Sequence, residues 1–311
     1  MRGTDARRNS ITAVAEPIIA PVGLAGSRTR PAAIVAALRP RQWTKNLLLF
    51  AGIVFAAELG DGTRLLEAVA AFVAYCAASS AAYLVNDVRD AASDRLHPVK
   101  RTRPVASGRV SPGVALGTAV GLALLALVVA AVLGPASLAC MAAFLGLQGA
   151  YSLRLKSVEL LDVLTIAALF VLRAAAGAIA VDVRISPWLL VCTFLLALFL
   201  GLAKRRAELR LGEVGARPAL AGYTARVLDR LLAIVAGVTV AVYVAYTVTA
   251  YDSLLLVATS PLVAFGLVRY LRLLRTRGLG EEPEAVLVSD LPILLTVAAW
   301  AAACAVAVAI G

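Results

Sequence analysis

The chain is poor in soft metal ligands, with one histidine and four cysteines among 311 residues. Cys76, Cys140, Cys192 and Cys304 each lie in an apolar segment, and none has metal-ligand spacing. They read as small apolar packing residues. Acidic residues are also scarce, 19 against 30 Lys and Arg, for a formal net charge of +11. Long polar stretches are missing too. Hydrophobic residues make up 61% of the chain, more than a soluble domain of this size hides, so no separate soluble domain is expected. In that setting the basic balance indicates cytoplasmic loops facing a lipid bilayer, not nucleic acid. Residues 1–30 lack the basic start, apolar stretch and small-residue cleavage site of a signal peptide. They are expected to be a mobile cytoplasmic tail ahead of a single transmembrane catalytic domain, 31–311.

What the chain does have is a series of apolar segments of about twenty residues, each long enough to cross about 30 Å of hydrocarbon. They predict helices near 44–60, 65–86, 113–133, 135–150, 159–181, 187–203, 228–250, 252–273 and 288–310. The fold class is therefore all-α, a polytopic membrane protein of about nine transmembrane helices. Gly134-Pro135 and Tyr251-Asp252 mark tight turns. Placed on this layout, 27 of the 30 Lys and Arg fall on one face. Only Arg64 and Arg184 lie opposite, and Arg173 lies inside a helix. By the positive-inside rule the rich face is cytoplasmic, with the N-terminus inside. The localisation that follows is multi-pass in the cell (inner) membrane.

The most informative stretch is Asn86-Asp87-Val88-Arg89-Asp90-Ala91-Ala92-Ser93-Asp94, where an apolar helix reaches the basic face. Asp87, Asp90 and Asp94 are spaced i, i+3, i+7 and share one helical face. Carboxylates so close repel one another unless something positive lies between them. Magnesium takes one or two carboxylates plus substrate phosphates, and Asn86 adds a neutral oxygen, so the pattern suits a Mg²⁺–diphosphate complex. A solvated acidic helix end paired with Arg89 and Arg95 is the plainer alternative. The next stretch, His97-Pro98-Val99-Lys100-Arg101-Thr102-Arg103-Pro104-Val105-Ala106-Ser107-Gly108, places Lys100 and Arg103 where they neutralise a leaving diphosphate. His97 reads as a phosphate or backbone contact.

Asn-Asp-x-x-Asp-x-x-x-Asp followed by His-Pro-x-Lys-x-x-Arg-Pro-x-x-Ser-Gly resembles the first aspartate motif of the UbiA superfamily of membrane prenyltransferases. The resemblance implies helices around a central cavity open to the cytoplasm, with Mg²⁺ holding a polyprenyl diphosphate through two Asp-rich motifs. Asn86, Asp87, Asp90 and Asp94 occupy the first motif. Where the second Asp-x-x-x-Asp motif belongs, this chain reads Leu202-Ala203-Lys204-Arg205-Arg206-Ala207-Glu208-Leu209. A basic site there suits direct contact with phosphate oxygens.

One branch of the superfamily fits that change. Arg39-Pro40-Arg41-Gln42-Trp43-Thr44-Lys45-Asn46, Tyr151-Ser152-Leu153-Arg154-Leu155-Lys156, Phe170-Val171-Leu172-Arg173-Ala174 and Lys204-Arg205-x-x-Glu208-Leu209 are similar to the bacterial decaprenyl-phosphate phosphoribosyltransferases. That resemblance implies attack of a polyprenyl phosphate on 5-phosphoribosyl diphosphate in cell-wall arabinan (arabinogalactan) precursor synthesis. The phosphate nucleophile is already anionic near pH 7, so no general base is required. Arg41, Lys45, Tyr151, Lys156, Lys204 and Arg205 would bind the remaining phosphates. Arg173 lies about a dozen residues into its helix and either reaches a cavity phosphate or snorkels or pairs with Asp162. The competing reading is prenyl transfer from a polyprenyl diphosphate to an aromatic or quinone precursor, which is expected to keep the second Asp pair. The state of assembly stays open, a homo-oligomer included.

Overall fold

The computed structural model describes residues 31–310 apart from 57, 212–219, 221, 250–253, 278–279, 281–284 and 287–288. The expected tail 1–30, Arg217 in the basic loop and the predicted Tyr251-Asp252 turn lie outside the described residues. Among the described residues every regular element is helical. Besides short 3₁₀ turns at Lys100–Thr102 and Leu155–Ser157, in chain order they are α1 (Pro31–Leu38), a 3₁₀ segment (Pro40–Phe50), α2 (Ala51–Phe55), α3 (Gly62–Arg89), α4 (Ala91–Leu96), α5 (Pro112–Val132), α6 (Pro135–Leu153), α7 (Leu161–Ala180), α8 (Pro187–Arg210), α9 (Ala225–Thr249), α10 (Leu254–Ala258), α11 (Ser260–Arg277) and α12 (Leu291–Ile310).

The chain marks its own helix starts. Asp61 caps α3 by accepting from the amides of Thr63 and Arg64 at 2.8 and 3.1 Å. Ser111-Pro112 and Ser186-Pro187 open α5 and α8, each serine accepting from an amide of the first turn. Gly134, at φ 121°, provides the reversal that starts α6 at Pro135.

Among the described residues seven helical stretches are long and apolar enough to cross a membrane, namely α3, α5, α6, α7, α8, α9 and Leu256–Arg277, and α12 has a shorter apolar stretch, Leu291–Ala307. The predicted first span, 44–60, is different. Its residues form the 3₁₀ segment and the five-residue α2, so the count of nine full spans is not met among the described residues. Hydropathy marked this stretch as apolar, but its backbone keeps 3₁₀ geometry through Phe50 before α2 begins.

Packing relies on small residues, because lipid chains are as apolar as leucine and helices associate by close fit. Ala71, Ala74, Ala78 and Ala81 of α3 are buried, as are Ala115, Ala119, Ala126 and Ala130 of α5. These two stripes let α3 and α5 approach along most of their length. The 3₁₀ segment and α2 wedge between α3 and α7. Their approach to α7 is so close that a Cβ on Gly177 collides with the Leu49 carbonyl, and one on Gly52 falls 2.7 Å from Ala178 Cα. A second apolar core joins α7, α8, α9, α11 and α12 around Phe199, Leu202, Leu228, Leu232 and Leu274. Helix α7 is thus shared by both halves of the bundle.

Candidate active site

The ends of α1, α3, α6 and α8 and the starts of α5, α7 and α9 meet at one end of the bundle, where the polar motifs sit. Backbone hydrogen bonding continues through the α3–α4 break, from Asp90 N to Asn86 O at 2.9 Å and from Asp94 N to Asp90 O at 2.8 Å. Asp87 and Asp94 are buried, at 1% and 4% exposure. One guanidinium joins them: Arg103 Nη1 lies 2.7 Å from Asp94 Oδ2 and 3.5 Å from Asp87 Oδ1. Arg39 Nη2 also donates to Asp87 Oδ1, at 2.5 Å, with its guanidinium carbon 5.1 Å from the centre of the Tyr83 ring. Asp90 turns to another partner. Lys156 Nζ donates to both Asp90 oxygens, at 2.9 and 3.2 Å, and to Asn86 Oδ1 at 3.1 Å.

The loop that follows is held by its own residues. Arg95 donates to Ala106 O at 3.1 Å and Arg109 to Thr102 O at 2.5 Å, while Gly108 turns the chain at φ 77°. His97 Nδ1 accepts from the amides of Val99 and Lys100 at 3.2 and 3.3 Å, the backbone contact of the two alternatives that its sequence position left open. Arg89 donates to the carbonyls of Ser152 and Leu153, tying the end of α3 to the end of α6. It does not neutralise the acidic cluster as the plainer reading had it.

The other basic positions divide by burial. Arg41 is exposed and Lys45 half-buried on the 3₁₀ segment, with Lys45 Nζ donating to Gln42 Oε1 at 2.5 Å. Lys100, Tyr151 and Lys204 are half-buried. Arg205 departs from expectation. It is 1% exposed, its Nε lies 2.5 Å from Asp162 Oδ2, and it donates to Glu208 one turn on. Asp162 and Glu208 are themselves 0% and 4% exposed. The structure therefore puts Arg205 in a buried ion triad instead of on a surface open to phosphate. Glu208 is on its own helix, but the other carboxylate, Asp162, comes from α7, which a local sequence pattern does not reveal. Tyr223 completes the cluster: its hydroxyl lies 3.4 Å from Asp162 Oδ1 and accepts from Leu160 N at 2.6 Å. Burial pushes the Tyr223 phenol up to about 12.

Arg173 is 4% exposed and neither snorkels nor reaches Asp162. Its Nε donates to Asn46 Oδ1 at 2.8 Å and its Nη1 to Leu169 O at 3.0 Å. Sequence reasoning did not assign roles to Arg39, Asn46 or Tyr223. Arg39 carried one signal, its place directly before Pro40 at a membrane entry.

Among the described residues no three His, Cys, Asp or Glu side chains stand close enough to enclose a metal ion by themselves. Magnesium asks for less, one or two protein carboxylates beside substrate phosphates. Asp87 Oδ2 is a buried oxygen with no hydrogen-bond partner, and Asp94 is joined to the same aspartate through one cation. An orphaned anionic oxygen next to a second carboxylate fits a hard divalent ion.

The chain is thus a polytopic helical bundle with paired carboxylates and cations gathered at one end. Residues 47–291 match the sequence model of the UbiA prenyltransferase family, and the chain belongs to that family. It is 36% identical over 295 residues to the decaprenyl-phosphate phosphoribosyltransferase of Mycobacterium tuberculosis, covering 90% of this chain and 95% of that one. The protein of the same name from Mycolicibacterium smegmatis is 33% identical over 285 residues, covering 86% and 89% of the two chains. A solved UbiA homolog from Archaeoglobus fulgidus bound to GPP and Mg²⁺ superposes with a TM-score of 0.68 at 19% identity, covering 89% and 99%. That likeness establishes the fold.

Proposed function

We propose that the chain is a phosphoribosyltransferase of the UbiA superfamily. It moves 5-phosphoribose from phosphoribosyl diphosphate to a polyprenyl (decaprenyl) phosphate and releases diphosphate, a step toward cell-wall arabinan. The observation that carries this reading is the contrast between the two motif sites. At the first, three carboxylates stand among the cations Arg39, Arg103 and Lys156. At the second, the buried Arg205 takes up both Asp162 and Glu208, so no open acidic pair remains there. One acidic site suits one diphosphate-bearing substrate, with basic groups left for the other phosphates. The similarity to two proteins named decaprenyl-phosphate phosphoribosyltransferase supports the same assignment.

In this reaction a lipid phosphate oxygen forms the bond to the anomeric carbon while the bond to diphosphate breaks. The diphosphate leaves with the electron pair, and no proton moves. Asp87, Asp90 and Asp94, with Asn86 beside them, would hold Mg²⁺, which when bound supplies neutralisation of the leaving diphosphate. Arg39, Arg103 and Lys156 are about a quarter exposed and pair with those carboxylates, so entering phosphate oxygens meet three cations. Arg41, Lys45, Lys100, Tyr151 and Lys204 border the same end and would serve the ribose 5-phosphate and the lipid phosphate. Asp90, at 28% exposure, is the most open of the three carboxylates and favours positive charge on an oxocarbenium-like ribose. The basic loops of this face would contact the inner leaflet, with the N-terminus and site cytoplasmic.

The test supplies purified protein in detergent with radiolabelled phosphoribosyl diphosphate, polyprenyl phosphate and Mg²⁺. Lipid-extractable label is the expected result. Prenylation of an aromatic acid from a polyprenyl diphosphate, with no label in the lipid, would reject the proposal in favour of a true prenyltransferase.

A further inference from the structure

Arg173 carries a charge that the chemistry above does not use. It lies well inside α7, and among the described residues no carboxylate forms an ion pair with it. Charge at such depth is expensive and persists where it meets a specific partner. Here the partner is Asn46, which is 0% exposed. Asn46 Oδ1 accepts from Arg173 at 2.8 Å, and Asn46 Nδ2 donates to Cys76 Sγ at 3.3 Å. One amide thus ties the 3₁₀ segment to α7 and to α3 together. The guanidinium is fixed in turn by Leu169 O and by the rings of Phe144 and Phe170, 4.7 and 5.3 Å from its carbon.

The segment so held needs holding. A 3₁₀ helix of 11 residues is unusual, because this hydrogen-bond geometry favours short runs. At its start stands Arg39, in the left-handed region at φ 55°, and Arg39 is the nearer of the two cations on Asp87. A second pin lies between, where Trp43 Nε1 donates to Ser80 Oγ at 3.0 Å and Ser80 donates to Leu38 O at 2.9 Å. Leu49 and Gly52 then press onto Gly177 and Ala178 of α7. We infer that Arg173 is a positioning residue: acting through Asn46, it sets the placement of the 3₁₀ segment that presents Arg39 to the anion-binding end. The planar fork reaches Asn46 Oδ1 and Leu169 O at once, which a lysine ammonium on a flexible stem does not reproduce.

This rests on the Asp87 end being an anion site, as proposed above, but not on which group is transferred. The probe is therefore magnesium pyrophosphate, common to phosphoribosyl and prenyl donors, titrated calorimetrically into the full chain in detergent, with melting followed in parallel. Arg173→Met is expected to weaken binding about tenfold by misplacing a remote contact. Arg39→Gln is expected to weaken it too, and the double variant to bind no worse than Arg39→Gln alone. Arg173→Lys is expected to recover only a small part of the affinity, because one ammonium does not reach both acceptors at once. Should Arg173→Met fail to fold, Asn46→Ala enters the same cycle. Wild-type binding by Arg173→Met, or losses that add in full with Arg39→Gln, would overturn the inference while leaving the anion site standing. Absence of pyrophosphate binding to the wild type would overturn the site and the inference together.

Discussion

Replacing Asp87 by Asn changes one oxygen to nitrogen and leaves the side-chain volume unchanged, so its consequences are electrostatic. Asp87 is 1% exposed and takes Arg39 at 2.5 Å and Arg103 at 3.5 Å. Unit charges about 4 Å apart at an effective dielectric of 20 attract by about 4 kcal/mol. Most of this survives or is replaced. The asparagine carbonyl still accepts a hydrogen bond from Arg39, Arg103 keeps Asp94 at 2.7 Å, and both arginines are about a quarter open to water. A net stability loss of about 1–3 kcal/mol remains. The catalytic loss is expected to be larger. The orphaned Oδ2 becomes an amide NH₂ that repels a divalent ion, and turnover should fall at least about a hundredfold, equivalent to about 3 kcal/mol. Two assays separate the terms: detergent-phase melting reports the fold, and Mn²⁺ binding followed by electron paramagnetic resonance reports the ligand. The expected pattern is a modest drop in melting temperature with loss of the Mn²⁺ signal and of lipid-linked product. Near-normal turnover with Mn²⁺ binding intact would refute the metal role of Asp87.

Arg205→Met leaves Asp162 and Glu208 buried without their cation and should destabilise the protein by about 3–5 kcal/mol, with Glu208→Gln on top restoring part of the melting temperature. If Arg205 instead contacts substrate phosphate, the single variant melts normally and loses only affinity. Gly177→Ala drives a Cβ into the Leu49 carbonyl and should lower stability by about 1–3 kcal/mol, read as an earlier melting transition. Tyr223 has its phenol raised from 10.0 to about 12, so the unfolded chain loses that proton first on raising the pH. Its contribution to stability is whole below pH 10.0 and disappears as the pH rises through about 12. Tyr223→Phe should be less stable at neutral pH and show a shallower loss across that alkaline window in a melting-versus-pH series.

Much of the fold was legible because its signals are local. Asp61, Ser111-Pro112, Gly134-Pro135 and Ser186-Pro187 start helices through contacts within the first turn, and the expected starts of α5, α6 and α8 fall within one residue of those found. The first segment was misread because apolar content does not distinguish a full α-helix from a 3₁₀ run ended by a short α2. Asp87, Asp90 and Asp94 were marked by spacing, but which cation meets which carboxylate depends on Arg39, Arg103 and Lys156 arriving from three separate stretches. The depth of Arg173 was visible in its segment, whereas its partner Asn46 lies 127 residues away along the chain.

The basic positions show why residue type alone does not assign a role. Arg103 and Arg205 each meet two carboxylates. Arg103 is 27% exposed and Arg205 is 1% exposed. A partly solvated pair gives up its partner at modest cost, because water and an incoming phosphate replace the lost contact. A buried triad does not, because each group it releases is left desolvated. At the first motif Arg39, Arg103 and Lys156 all pair with carboxylates while about a quarter exposed, so under the proposed reaction each of them can pass to a substrate phosphate. Arg205 instead holds α7 to α8, within the basic stretch that stands where the resemblance places the family's second Asp-x-x-x-Asp motif.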